Sequence, residues 1–417
     1  MENNPFLSKT YVSTWLRHFN DSNPSISFDF IKNITFIKDK KFPIYFNTGK
    51  NQTNGLSYSL NILEAANFNN KVLLIMDVPD YIETSPIINT SLKLKKVRQY
   101  KGYLANLKGF SNYEAYIGRN FSSKSRSRIL KYKKKLECCF NIKYETYFGE
   151  NITKYEYEHI FQRFKELLKK QEDDKQIINQ ALFPKNWEYL YELIFPMILK
   201  KKAALIVIYD DNVPISITLS YVGKNIFSNS LMTFDSDYSK FHVGLIDIIM
   251  RFQFCIKEKI NLCDFSKGDH DYKIRWGNTI YNFEYHIIYN SKSIVSLITA
   301  SIVIFKFRII QFLRDINIHT LFHKTIYFLK GHNNHINKTE TYKITALNEV
   351  DNNLKLNEID FRNPRYSFLK GTIYDFLYTS SESINDIKVL SVNDNLKETF
   401  LIIGKHRKGK IVSKNIE

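Results

Sequence analysis

Hydrophobic and polar positions divide the chain into stretches with different periods. Phe42 to Asn47 and Lys71 to Val78 are short apolar runs rich in branched and aromatic residues, and they predict two buried strands. The polar interval Thr48 to Gly55 between them predicts a loop. From Ser123 to Glu137 apolar residues recur at helical spacing opposite a face of lysines and arginines, which predicts an amphipathic helix with a basic surface.

The pattern after residue 150 alternates between the two periods in a defined order. Helical spacing, then period-two or continuous apolar runs, predict the order α, α, β, β, β, α, β, short α, β. The three central strands are joined by tight turns and form an antiparallel meander. The segments are helices at 154–170 and 185–202, strands at 203–208, 214–221 and 226–233, a helix after Gly244, a strand at 262–265, a loop with a helical turn at 266–277, and a strand at 279–289.

The region beyond Asn290 has two interpretations. Its uninterrupted apolar core, Ile294 to Phe305, is shorter than the ~20 residues that a membrane-spanning helix needs. Basic residues then follow, so the segment is either a basic amphipathic helix on a membrane surface or a helix that packs on the core. The tail from His332 to Glu417 is polar, with strand-like runs at Tyr374 to Tyr378 and Thr399 to Ile403. No role is assigned to it.

Composition places the chain among folded globular proteins. The residues are 44% hydrophobic and 15% aromatic. A chain of 417 residues is too long for one ordinary core, so its length predicts two domains plus an appendage. The formal charge of +18 is concentrated, because Lys93 to Lys135 contains fourteen lysines and arginines against one acid, Glu114. Such a segment attracts polyanions: CoA phosphates, nucleic acid or anionic lipid.

The four cysteines do not have the spacing of a zinc or redox motif, so no metal site is predicted. The amino-terminal residues lack the pattern of a secretory signal. Both observations lead us to expect a cytoplasmic protein.

The start of the helix after the meander is a candidate anion site. Free N–H groups and the helix dipole at Val243 and Gly244 would bind a pyrophosphate, and glycine allows close approach. An acyl thioester would then lie between parting strands, with its carbonyl polarised by a strand amide. The alternative is that Gly244 only begins the helix. The predicted cofactor-binding residues are His242, Val243, Gly244 and Leu245.

Acyl transfer from a thioester needs a base for the acceptor proton and a polarised carbonyl. The candidate bases on the acceptor side are acidic residues and His270, and Lys273 is the candidate electrostatic stabiliser. His242 is either a base or the cap of the helix. The alternative for the acidic residues is that they are only solvated charges in a loop. The residues assigned to catalysis are Asp264, Asp269 and Lys273. The predicted substrate contacts are Arg126, Arg128, Tyr272, Arg275 and Trp276.

The run from Phe234 to Asn278 resembles the CelD/BcsL-like branch of the GNAT acetyltransferase superfamily. The signature D-F-x-x-G-x-x-x-Y-K-x-x-W-G is present as Asp264-Phe265, Gly268, Tyr272-Lys273 and Trp276-Gly277. The resemblance covers roughly residues 5 to 290. It implies an α/β (α+β) fold of tandem GNAT-like domains, each a mixed, mostly antiparallel sheet with helices on both faces. The implied divisions are 1–150, a degenerate half; 151–290, the acyl-CoA-binding half; 291–331, the basic amphipathic helix; and 332–417, an extension.

The resemblance also implies an activity. Acetyl-CoA or another acyl-CoA would be the co-substrate, and a glycan or amino-sugar precursor of the cell envelope or an exopolysaccharide would accept the acyl group on nitrogen or oxygen. Contact with an anionic membrane on its inner face is a further expectation. The pyrophosphate motif of the family has two glycines, whereas this chain has Gly244 alone.

Two other functions fit the same residues. A Fem-type transferase has the same paired architecture and would use aminoacyl-tRNA in place of acyl-CoA. A non-catalytic protein on this fold would use the basic segment to bind a membrane surface or a nucleic acid. Sequence-specific nucleic-acid recognition is not expected, because the chain has no helix-turn-helix, zinc or single-strand-binding signature.

Overall fold

The computed structural model describes residues 4–20, 24–61, 68–82, 91–316, 342–347, 349, 354, 356–392 and 399–413. Its helices are α1 Lys9–Phe19, α2 Tyr113–Asn120, α3 Ser123–Cys139, α4 Lys154–Lys175, α5 Pro184–Leu199, α6 Val243–Lys257, α7 Asp271–Trp276, α8 Ile294–Asp315 and α9 Lys370–Ser380.

Strands form two sheets. The strands of the large sheet are β1 Ile26–Phe28, β2 Ile31–Lys38, β3 Ile44–Asn47, β4 Ser59–Leu60, β5 Val72–Pro79, β6 Leu92–Asn106, β7 Ile142–Tyr147, β8 Ala203–Asp210, β9 Val213–Val222, β10 Ile226–Phe234, β11 Leu262–Lys267 and β12 Thr279–Asn290. The strands of the small sheet are β13 Tyr342–Leu347, β14 Leu356–Glu358, β15 Lys388–Val392, β16 Thr399–Ile403 and β17 Lys408–Ser413.

The order predicted for the second half is confirmed from α4 to β12, including the antiparallel meander β8–β9–β10. The mixed α/β fold is also as predicted. Local sequence explains where helices begin: at the start of α4, Thr153 and Glu156 form a reciprocal capping box.

The large sheet has 12 strands and joins the two halves of the chain. Its order is β1-β2-β3-β5-β12-β6-β11-β10-β9-β8-β7, with β4 paired to β2. Strand β12 is the last strand of the second half in sequence, yet it lies between β5 and β6 of the first half. The tandem organisation is therefore built on one continuous sheet, in which the two halves share strands.

In two places in this sheet, neighbouring strands run parallel. At each place only three residues of one strand lie opposite residues of the other. In the first half, β3 pairs with β5 from Ile44 opposite Val72 to Phe46 opposite Leu74. In the second half, β10 pairs with β11 in the same short way. Strands that begin together and then part leave a space between them, and this arrangement occurs once in each half.

Helices cover both faces of the sheet, as strand alternation shows. Leu205 and Val207 of β8 pack in the cluster that holds α1, α4 and α5. Ala204 and Ile206, which point the opposite way, pack with α2, α3 and α6. In the first half, Leu74 and neighbours on β12 pack under α8.

The carboxyl-terminal residues form a separate small sheet, in the order β13-β17-β16-β15-β14, with helix α9. Tyr374 of α9 stacks among Phe140 and Tyr238, so this unit shares a core with α3 and the 236–241 turn. The strand predicted at 399–403 is confirmed. The strand predicted at 374–378 is wrong, since these residues are helical.

Residues 294–315 form helix α8, as both interpretations of the segment after residue 290 require, and its basic amphipathic character stays a prediction; residues 317–331 of the predicted range lie outside the described residues. At 22 residues, it is longer than its apolar core suggested. Among the described residues it is a single helix that meets the length and composition needed to cross a membrane.

Candidate active site

The parting of β10 and β11 opens a cleft in the second half. The two strands are paired at Ile226 with Leu262, Phe227 with Cys263, and Ser228 with Asp264, and then they separate. A cavity of about 710 Å³ lies beyond this point. It is bounded by the end of β10, the start of α6, part of α4 and the loop from β11 to α7. This is the space in which we expected an acyl thioester.

A bulge in β10 faces the cleft. Asn229 lies opposite Ser220 and Leu231 lies opposite Leu219, so Ser230 is an extra residue in the strand. All three β10 residues line the cleft. The bulge interrupts the ladder to β9 where β11 has already turned away, and the Asn229 carbonyl there accepts a hydrogen bond from the Asn54 side chain (2.9 Å). The buried Oδ1 of Asn229 has no hydrogen-bond partner among the described residues.

The amino terminus of α6 points into the cleft, as predicted for the anion site. His242 adopts a left-handed backbone (φ 53°) between the 236–241 turn and the helix, and its side chain makes no capping hydrogen bond. Gly244 and Leu245 line the cleft, whereas Val243 is buried beneath it. A Cβ on Gly244 would lie 3.5 Å from Met232 and Phe234, an ordinary contact. The fold therefore does not require glycine here.

His242 also lines the cleft and joins it to the basic helix α3. Its ring lies against Tyr132, with 3.9 Å between ring centroids. Burial, and then the positive charge of Arg128, lower the pKa of His242. Its ring is therefore neutral at pH 7, and α3 places positive charge beside the helix terminus.

The opposite wall is the loop from β11 to α7, which Lys273 holds in shape. Its ammonium donates to the backbone carbonyls of Ser266 (3.3 Å) and Lys267. Ser266 and Gly268 both have left-handed backbones, so the loop turns sharply around this ammonium. Burial lowers the pKa of Lys273 to about 8. Because its hydrogens are used by the loop, we interpret Lys273 as a positioning residue.

His270 and Tyr272 follow that turn and line the cleft. The two rings are nearly parallel, with an interplanar angle of 16°. His270 is exposed, but partial desolvation of its ring by the cleft wall, and then the charge of Lys273, lower its pKa, so that its imidazole is neutral at pH 7. Burial raises the pKa of the Tyr272 hydroxyl, which keeps its proton. The cleft thus contains a neutral base beside a protonated acid.

Neither predicted catalytic aspartate lines the cleft. Asp264 is fully buried, and its carboxylate accepts hydrogen bonds from the Tyr281 hydroxyl (2.6 Å) and the Ser266 amide (2.8 Å). Asp269 accepts from the Tyr103 hydroxyl at the surface. The geometry therefore favours His270 over both aspartates as the group that could take a proton in the cleft.

Protonation of the buried Asp264 carboxyl instead affects the stability of the fold. Burial raises its pKa from 3.8 to about 6, so between these values the folded protein binds a proton that the unfolded chain releases. Stability from this group is full below pH 3.8 and is lost as pH rises through 6. At about 1.4 kcal/mol per pKa unit, the loss approaches 3 kcal/mol.

We expect Asp264→Asn to remove this pH dependence of the free energy of unfolding. Urea unfolding of the wild type and the variant between pH 4.5 and 7.5 would measure the difference. A constant difference between the two proteins over this range would contradict the assignment.

The predicted substrate-binding residues separate into two groups. Tyr272 lines the cleft, but the other four do not. Trp276 is 1% exposed and packs against Phe121 and Phe252 as a core anchor. The remaining three are Arg275, which is exposed on α7, Arg126, which donates to the Gly118 carbonyl at 2.7 Å, and Arg128, which is exposed on α3.

Gly277, which follows Trp276 in the signature, is required by packing. A Cβ there would lie 2.8 Å from the Lys273 carbonyl oxygen and 3.2 Å from that of Leu104. We expect Gly277→Ala to lower the free energy of unfolding by about 1–3 kcal/mol, as measured by urea denaturation. Gly118→Ala is the control, because nothing lies within 4 Å of its Cβ position in α2. Equal stability of the two variants would refute this explanation.

The most buried charges near the cleft belong to an ion pair on α6 that the sequence prediction did not assign to the site. Arg251 is 1% exposed, lines the cleft and pairs with Asp247, which also accepts from Thr218 (2.7 Å). The Nη1 atom of Arg251 has no partner among the described residues. The signal was present in the sequence: Asp247 and Arg251 are four apart in an otherwise apolar stretch, which places both in the core.

A second ion pair links the two halves of the chain. Lys267 of β11 reaches across to Asp77 of β5, with 2.5 Å between Nζ and Oδ1. Asp77 is fully buried and also accepts from Thr53 and Gln99. No pattern in the sequence indicates this pairing, because its members are far apart. Within the described ranges, histidine, cysteine and acidic residues do not cluster in any group of three that could hold a metal ion.

A family model described as an acetyltransferase (GNAT) domain matches residues 123–274. The matched segment runs from α3 to α7 and contains the whole cleft. The match supports a place for this segment in the GNAT superfamily, and the narrower CelD/BcsL-like branch stays a prediction. No curated protein is detectably similar to the chain.

Solved structures that resemble this one do so weakly. A conserved protein of unknown function from Bacteroides thetaiotaomicron has a TM-score of 0.43 at 10% identity, over 69% of this chain and 93% of its own. The DUF2156 domain of a putative lysylphosphatidylglycerol synthetase from Agrobacterium fabrum has a TM-score of 0.41 at 9% identity, over 70% and 90%. FemX has a TM-score of 0.40 at 10% identity, over 61% and 83%.

Proposed function

We propose that this protein is an acyltransferase that binds acyl-CoA in the cleft between β10 and β11. The observation that carries the proposal is the combination of two parting parallel strands with a helix terminus directed into the gap. The terminus of α6 offers free N–H groups to the pyrophosphate, and the bulge at Ser230 offers a polarising backbone group to the thioester carbonyl. The GNAT match over the same segment supports it.

The residues of the opposite wall supply proton transfer. An amine or hydroxyl of the acceptor attacks the thioester carbon, forming the new C–N or C–O bond, and the C–S bond then breaks. His270 takes the proton of the acceptor, and the Tyr272 hydroxyl donates one to the departing CoA sulfur. Lys273 holds the loop that places both groups. The products are the acylated acceptor and free CoA.

The acceptor class is inferred from the family resemblance and from the charges of the cleft. Four cationic side chains line it, Lys175, Arg251, Lys267 and Lys273, of which Arg251 and Lys267 are paired with Asp247 and Asp77. This concentration of positive charge suits an acceptor that carries a phosphate or carboxylate in addition to its amine or hydroxyl. An amino-sugar precursor of a cell-envelope glycan or exopolysaccharide has this chemistry.

Release of free CoA thiol tests the proposal. Purified protein would be given acetyl-CoA with a panel of amino sugars and their phosphates, and thiol appearance would be followed against reactions without acceptor. We expect acceptor-dependent release with at least one phosphorylated amino sugar. Transfer from aminoacyl-tRNA, with no use of acyl-CoA, would instead establish the Fem-type function. Binding of neither donor by folded protein would refute both.

A further inference from the structure

Helix α8 has two largely apolar stripes on opposite sides, and the described residues of the protein cover one of them. The covered stripe packs on the sheet and consists of Ser296, Ala300, Val303 and Phe307. The other faces outward and consists of Ile294 (74% exposed), Ile298 (56%), Ile302 (63%), Phe305 (67%), Ile309 (40%) and Phe312 (63%). An ordinary surface helix has a polar outer face. A continuous apolar stripe of this size indicates an apolar partner.

A cavity of about 970 Å³ opens beside this stripe, between α8 and the ends of β3 and β5. It lies at the parallel pair of the first half, which corresponds to the pair that forms the cleft in the second. Here the gap is bridged, because the buried Asn47 side chain accepts a hydrogen bond from the Met76 amide (2.8 Å). The first half therefore lacks the open strand edge of the cleft, and its cavity lies on the sheet face beneath α8.

The cavity combines apolar walls with a basic rim. Its walls include Phe46, Met76 and Ile302, and Ile302 also belongs to the outer stripe. The rim cations are Lys38, Lys40, Lys41, Lys50, Lys306 and Arg314. The carboxylate at this rim, Asp39, accepts hydrogen bonds from the amides of Lys41 and Phe42. Arg314 donates to the Gln99 carbonyl and stacks on Tyr100, so its guanidinium is already engaged, whereas Lys40 and Lys41 are exposed.

We propose that the outer stripe of α8 lies in the surface of an anionic membrane and that this cavity takes up a phosphate-bearing lipid from it. The apolar walls suit the start of an acyl chain, and the lysines suit the phosphate. A free phosphate would leave the apolar walls in water. Because the opposite stripe is packed on β5, β6 and β12, the helix lies along the protein surface and parallel to the membrane plane.

Vesicle sedimentation of the full chain tests the membrane contact. We expect binding to phosphatidylcholine vesicles that contain phosphatidylglycerol to be about tenfold tighter than to phosphatidylcholine alone, and to weaken as salt is raised. The variant Ile298→Glu with Phe305→Glu should lose binding about tenfold or more, because two charges replace buried apolar area. Equal binding by this variant would overturn the proposal.

The matched control is Tyr155→Glu with Val213→Glu, which changes two exposed apolar residues on other elements (80% and 52% exposed). It should bind vesicles like the wild type. Acetyl-CoA titration of each variant reports on the cleft separately, so failure of the membrane proposal is distinguishable from failure of the proposed function. A stable dimer that the α8 variant dissociates, without any vesicle binding, would replace the membrane by a second copy of the chain.

The cavity itself is tested with Lys40→Ala combined with Lys41→Ala. Native mass spectrometry with short-chain phosphatidylglycerol should show one bound lipid on the wild type and about tenfold less on this variant. Inorganic phosphate should not compete at equal concentration. Competition by phosphate alone would show a simple anion site, and unchanged lipid binding by the variant would refute the role of the rim.

Discussion

Replacing His270 with glutamine is expected to lower kcat about 10²–10⁴-fold, with the KM for acetyl-CoA little changed. The imidazole lines the cleft opposite the bulge of β10, and partial desolvation keeps its pKa below the ordinary value of 6.5. It is therefore ready to accept a proton at neutral pH. Because the base must be deprotonated, wild-type kcat should fall as the solution becomes more acidic than pH 6.5, and it should be flat from neutral pH up to the pKa of Lys273, about 8, whose ammonium holds the loop.

The pH profile separates this role from a structural one. The glutamine variant should lose the acid limb and retain a low, flat rate. Asp271→Asn, an exposed neighbour on α7, is the control: it should keep the rate and an acid limb, which moves to lower pH because the Asp271 carboxylate raises the pKa of His270. A glutamine variant with full kcat, or with the acid limb preserved, would show that His270 is not the base.

Gly244→Asp is expected to weaken CoA binding about 100-fold or more. Two unit charges ~4 Å apart interact by about 4 kcal/mol at an effective dielectric of 20, and here the new carboxylate would face the pyrophosphate. The substitution should not disturb folding, because the Cβ position has only ordinary contacts with Met232 and Phe234. Titration calorimetry with CoA measures the effect.

Gly244→Ala is the matched control for this substitution. It adds the same Cβ without the charge, so its affinity for CoA should stay within a few-fold of the wild type. If alanine and aspartate weaken CoA equally, then the loss comes from bulk and not from a phosphate at the helix terminus. If neither variant changes the affinity, then CoA binds elsewhere.

The parts of the fold that the sequence predicted are those in which hydrophobic positions repeat with a single period, either helical or alternating. Helix α6 has apolar residues at helical spacing over its whole length, and β8 to β10 are separated by turn residues. Strand β6 was missed because its lysines hid its alternation. Leu92–Asn106 carries much of the basic segment yet pairs with β11 and β12 inside the sheet. In α9, a short run of aromatic and branched residues at 374–378 could not distinguish helix from strand.

The site was predictable in outline and not in its chemistry. The Gly244 helix terminus and the parting strands follow from the order of elements. Successive residues of a strand face opposite sides of the sheet. Because Phe265 packs toward α6, Asp264 must face the other side, and this alternation would have excluded it from the catalytic residues. The pairing of Lys267 with Asp77 depends on a contact between the two halves, which no local pattern contains.

The most direct test of the central claim is calorimetric titration of the wild-type protein with acetyl-CoA and with CoA at moderate salt. The acyl-CoA site between β10 and β11 predicts saturable binding with one equivalent per chain. Absence of binding to a protein shown to be folded would contradict it, and the cleft would then belong to a different donor.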